Sequence, residues 1–150
     1  MSAGTDLLDG LAQTIAAAGN GVYRADDSTY SPGETAVVFV IMPDKPDRVI
    51  CLTEYLLTAH PSLPLDRVGV QIRTRGLPND SFDEKVLRDG VRDCVHALTD
   101  RQYGSCHLIQ MLFASGVPLG VDAAGRSESS QNFTVDVDMP ATLNRPDGGL

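Results

Sequence analysis

The sequence predicts an α+β domain: a mainly antiparallel sheet of about five strands with two packed helices, in the order α-β-β-β-α-β-β. Three observations carry that prediction. Residues 66–75, DRVGVQIRTR, alternate apolar and polar side chains, as a half-buried strand does. Residues 81–99, SFDEKVLRDGVRDCVHALT, set Leu87, Val91, Cys94, Val95 and Leu98 on one helical stripe, with Glu84, Lys85, Arg88, Asp89, Arg92 and Asp93 opposite. The links between consecutive strands are short, which favours antiparallel pairing over crossovers.

Each element has its own warrant. Residues 6–18 form a first helix with the stripe Leu7, Leu8, Leu11, Ile15 and Ala18, capped by Thr5 and ended by Gly19. Residues 19–35 are rich in Gly, Asp, Ser and Pro and read as loop, with Val22 and Tyr23 as a short edge pairing. Residues 36–41, AVVFVI, form a buried strand without alternation. A turn with Pro43 and Pro46 joins it to a strand at 48–55, so the two are expected to form a hairpin. Pro61 and Pro64 make 56–65 an irregular excursion.

The alternating strand at 66–75 leads through a turn at 76–80 into the second helix. Ser81 and Glu84 there stand at the spacing of a capping box. Residues 105–115 form a fourth strand and 116–130 a long loop rich in Gly, Asp and Ser, with a tight turn over 122–125. A fifth strand, 132–139, sets Phe133, Val135, Val137 and Met139 against Thr134, Asp136 and Asp138. Pro140 stops it. One domain over 1–140 and a flexible tail over 141–150 are expected.

Two strands do not fit a sheet with one wet face. Residues 36–41 and 108–113 are apolar without alternation, so both faces of each call for cover. Two helices cover one face; a loop, the first helix or another copy of the chain covers the other.

Composition excludes several functions. The net charge is −8, so counterion release from a nucleic acid offers nothing. No run approaches the ~20 apolar residues of a membrane span. The N-terminal residues lack a basic stretch followed by an apolar one, so no signal peptide is read there. Cys51, Cys94 and Cys106 are widely spaced and read as reduced thiols of a cytoplasmic chain. Phosphate-loop, dinucleotide, nucleophile-elbow and zinc-protease motifs are absent, and His60, His96 and His107 are scattered. No catalytic residue, cofactor or metal site is assigned.

Arg73 and Arg75 share a strand face with Gln71. That face is either solvated or an ion-pair site between subunits, since arginine matches carboxylates with two parallel bonds. Asp122 and Gly125 build a tight turn beside which Arg126 projects.

Residues 66–76, the helix ending in His96-Ala97-Leu98, and SGVPLGVDAAGRSESSQNFTVDVDMP at 115–140 together resemble the tail terminator, or minor capsid, proteins of long-tailed phages. The first helix and PDKPDRVICLTEY at 43–55 fit the same order, so the resemblance spans roughly residues 5–140. It implies a virion protein of the tail or neck, assembled in the host cytoplasm as a ring, usually of six. The ring caps the tail tube, ends its polymerisation and joins the tail to the head connector. It implies no cofactor, no catalysis, no membrane and no specific hold on the DNA that passes through. Arg73, Arg75, Asp122, Gly125 and Arg126 are the expected interface residues, with Asp136 and Asp138 facing the lumen. The loop at 116–130 is expected to be mobile and to contact tube or connector. Two alternatives stand beside this: another head-completion, neck or tube subunit, or a small cytoplasmic hydrolase or ligand-binding domain. A deep polar pocket holding His96 or His107 beside a carboxylate would mark the last.

Overall fold

The computed structural model describes residues 2–145. The chain forms α1 (Ala3–Ala17), β1 (Val22–Tyr23), β2 (Ala36–Phe39), β3 (Val49–Ala59), β4 (Leu65–Pro78), α2 (Ser81–Val95), β5 (Leu98–Tyr103), β6 (Cys106–Val121) and β7 (Arg126–Asp138). The class is α+β, as expected. The sheet has seven strands rather than five, in the order β1-β2-β3-β4-β7-β6-β5.

Both helices pack on one face of that sheet. Leu7, Leu11 and Ile15 of α1 and Leu87, Val91 and Val95 of α2 meet Ile50, Leu52, Val70, Ile72, Phe133 and Val135, all buried. Ser2 caps α1 by accepting from Thr5 N at 3.2 Å, one turn earlier than the expected start. Asp80, not Ser81, caps α2, accepting from Asp83 N at 3.1 Å. Glu84 is therefore no capping-box partner, nor does it lie on the solvent face. It is buried and accepts from Thr74 Oγ1 at 2.7 Å and from Ser129 Oγ. A buried carboxylate survives only with such donors around it.

The expected β2–β3 hairpin is not formed. The two strands run parallel, with Ala36 opposite Val49 and Phe39 opposite Leu52. The chain turns out of β2 at Val40, whose φ is 65°, and returns alongside before entering β3. Arginine side chains hold that return segment from beneath, as described below.

Three further boundaries moved. The excursion at 56–65 is shorter than expected, because β3 runs to Ala59 and β4 starts at Leu65. The second helix stops at Val95, and Leu98–Tyr103 is a strand of its own. The loop expected at 116–130 is mostly the distal arms of β6 and β7, paired from His107–Asp138 out to Val121–Ser127. Gly116, Pro118 and Gly120 are poor strand formers, but β6 accommodates them with register shifts after Phe113 and after Pro118.

Of the two runs needing cover on both faces, the first has it over β2 itself, while Val40 and Ile41 beyond its end are exposed. Ala36, Val49 and Cys51 are buried under Tyr30, Val38 and Met42, so a loop does the covering. The other does not: Leu108 and Met111 are buried while Ile109, Leu112 and Phe113 stand exposed. The expected tail is described only to Arg145, whose guanidinium donates to Asp66 Oδ1 at 2.6 Å and to the His60 carbonyl at 3.3 Å. Its remainder, 146–150, lies outside the described residues.

Candidate assembly interface

The β6–β7 turn is built by one carboxylate. Asp122 Oδ1 accepts from Ala124 N at 3.0 Å and Arg126 N at 2.9 Å, while Oδ2 accepts from Arg126 Nε at 2.9 Å. These bonds, the one from the Arg126 backbone first, hold the Asp122 pKa below its ordinary value. Gly125 takes φ 82°, a left-handed conformation that glycine adopts without strain, and its carbonyl accepts from Asn79 N at 2.9 Å.

Arg126 does not project into solvent. Its side chain is 5% exposed, with Nη1 donating to the Asp44 carbonyl at 2.6 Å and to Asp47 Oδ1 at 3.1 Å, and Nη2 to Asp44 Oδ1 at 3.1 Å. Burial alone would lower its pKa, but the hydrogen bonds to Asp122, Asp44 and Asp47 raise it. Arg75 is buried beside it and donates to three backbone carbonyls, those of Asp47 at 2.9 Å, Asp44 at 3.2 Å and Pro46 at 2.8 Å. Burial first, then the neighbouring Arg126 charge, lowers the Arg75 pKa. Arg73 reaches Glu128 at 3.4 Å. These three arginines are thus engaged inside the chain, and two of them pin the segment that returns β2 to β3. Interface roles for Arg75 and Arg126 would act through that segment, not by direct contact.

Asp136 and Asp138 lie on the sheet face that carries no helix, in alternation with buried Val135 and Val137. Asp136 accepts from Arg67 Nε at 2.8 Å across β4. Thr134 and Asn132 share that face, with Tyr55 laid over Gly69 where a Cβ would collide with its ring. The face is polar along β4 and β7; its apolar side chains lie at the margins, with Leu112 and Val117 of β6 opposite Thr134 and Ser130.

One such margin is the outer half of β6. β5 shields β6 only as far as Met111, opposite Leu98. Beyond it, Leu112, Phe113, Val117, Leu119 and Val121 are exposed. Residues 106–121 contain no Asp, Glu, Lys or Arg. That charge-free run was visible in the sequence, but its glycines and proline disguised it as a loop. On the far side of the sheet the end of β3 is similarly bare, with Tyr55, Leu56 and Leu57 exposed.

The fold has a counterpart. It is shared by a chain from the virion of a native gene transfer agent particle. The two superpose with a TM-score of 0.60 at 15% sequence identity, over 85% of this chain and 94% of that one. At that identity the likeness is one of fold. No family model and no curated protein matches the sequence.

Chemistry is sparse at the histidines. His107 Nε2 lies 3.0 Å from Asp100 Oδ1, on an edge where the Asp100 side chain is 86% exposed. His96 Nδ1 accepts from Phe113 N at 3.0 Å. Among the described residues, no three His, Cys, Asp or Glu side chains cluster as metal ligands do. No described helix is long and apolar enough to cross a membrane. Cys106 is buried, which pushes its thiol up to about 12, so it remains protonated.

Proposed function

We propose that this chain is a structural virion protein, and specifically a tail terminator. Six copies form a ring on the finished tail tube, end its polymerisation and offer the opposite ring face to the head connector. The observation that carries the proposal is the uncharged, uncovered half of β6, set in a fold that a virion chain also uses. A ring closes by rotation, so one surface of each copy meets a different surface of the next. The polar, helix-free face with Asp136 and Asp138 lines the bore. Six copies at −8 each make a strongly acidic ring, whose wall repels DNA and lets it slide.

The test is electron microscopy of tails assembled with and without the protein. Tails of uncontrolled length that fail to join heads, corrected by adding the protein back, are the expected result. Tails of normal length that lack only the head joint would assign the chain to another neck position.

A further inference from the structure

We propose that copies of this chain join edge to edge, the bare half of β6 in one copy adding as a strand to the bare half of β3 in the next. The closure of this arrangement rests on the ring reading above; the identity of the two strands goes beyond it.

Besides the outer edges of β1 and β5, which end the sheet, two stretches of its long strands are left without a partner strand among the described residues. β2 ends at Phe39, opposite Leu52, so nothing pairs with the outer side of residues 53–59 of β3. On the other side β5 stops at Leu98, opposite Met111, and His96 takes the Phe113 N–H. Residues 114–121 of β6 then face outward with no strand beyond them. Bare strand edges template pairing with other chains, and proteins that avoid this put charge on them. β5, which covers the proximal half of the same edge, carries Asp100 and Arg101. The distal half carries no charge, and Val117 and Val121 are 50% and 66% exposed. Along β3, Leu56 is 58% exposed and Glu54 is the single charge between residues 53 and 59.

A second copy fits both edges for three reasons. The first is direction. β3, β4, β7 and β6 alternate in sense, so β3 and β6 of one copy run opposite ways. A neighbour brought round by rotation sets its β6 antiparallel to β3, which continues the sheet. The second is charge. Copies at −8 each repel, and these two stretches bring the fewest charges together.

The third reason is stagger. The bare half of β3 lies opposite residues 66–71 of β4, and the bare half of β6 is level, through β7, with residues 71–75. The centres differ by between four and five residues, or ~15 Å, across four strands that span ~19 Å. Strands joined with that offset tilt by ~38° from the ring axis, within the range closed barrels adopt. α1 and α2 then lie outside, and the face bearing Arg67 and Asp136 turns to the bore.

The test uses the full chain with Leu56→Cys and Val117→Cys in a Cys94→Ser background, concentrated and treated with a short bismaleimide. Cys51 and Cys106 are buried and stay unreacted. The masses of assemblies of the unmodified protein are measured in parallel. A ladder of covalent multimers that disappears in either single-cysteine variant is the expected result. Defined assemblies of the unmodified protein without any ladder would overturn the edge pairing and leave the ring intact. Dimers from the Val117→Cys variant alone would overturn it by showing β6 paired with β6. A protein that stays monomeric and uncrosslinked at its highest attainable concentration would overturn it too, while tail termination itself stays testable on tubes. Both cysteine sites are exposed, and an unchanged melting temperature shows that the variants fold.

Discussion

At the scale of single residues, the arginines decide how the chain is built. Their charge was legible in the sequence; their burial was not. Arg73 and Arg75 stand two apart on an alternating strand, and alternation places them on one face without saying what covers it. The return segment at 40–48 covers Arg75, and its carbonyls take the place of water. Arg126 shows the same limit, since a turn residue reads as exposed until Asp44 and Asp47 arrive from elsewhere in the chain. Replacing Arg126 with Ala removes the donor from the Asp44 and Asp47 carboxylates and leaves the Asp44 carbonyl only its longer bond from Arg75, at 3.2 Å. Hydrogen bonds of charged groups are each worth ~1.5–3 kcal/mol, and the Asp44 side chain is well solvated, so a net loss of about 2 kcal/mol is expected. Urea denaturation of the Arg126→Ala variant measures it. A loss within error of zero would show that the clamp on the return segment contributes nothing.

At the scale of elements, periodicity located both helices and the strands β4 and β7, while β6 was read from its dense apolar run. Four-residue periodicity found α2, yet its capping signal pointed one residue too far along. Asp80 and Ser81 are both good caps, and only the backbone conformation selects between them: Asp80 is extended at φ −137° and ψ 91°. Asp80→Ala should therefore cost about 1 kcal/mol in thermal or chemical denaturation, and Ser81→Ala a few tenths. The reverse order would return the cap to Ser81. Strand ends were the least legible feature, for a physical reason. A strand on a bare edge tolerates glycine, proline and bulges because it has one partner rather than two, so the breakers in β6 did not break it. The β2–β3 pairing was misread because a short link normally means a hairpin. Here the link returns alongside instead, held by the arginine clamp, which no local pattern encodes.

At the scale of the whole molecule, the expectation of surplus apolar surface is answered in a particular place. The sheet has one face under helices and one that is polar along β4 and β7; the surplus sits towards two edges, at the distal half of β6 and the end of β3. The polar face bears on the proposed bore. Asp136→Lys together with Asp138→Lys replaces two acids per copy by two bases, and Asp136 already sits against Arg67. Rings carrying both substitutions should still cap tails but slow DNA ejection through electrostatic capture. Ejection timed by dye release checks this, and unchanged kinetics with normal assembly would remove these residues from the bore.

The account turns on identical copies covering those edges, and amide hydrogen exchange followed across protein concentration reads that directly. Residues 53–59 and 114–121 should gain protection together as copies associate, with the paired interior of β4 and β7 unchanged. If assemblies form while both stretches exchange as they do in the dilute chain, other surfaces make the contact and the account is wrong.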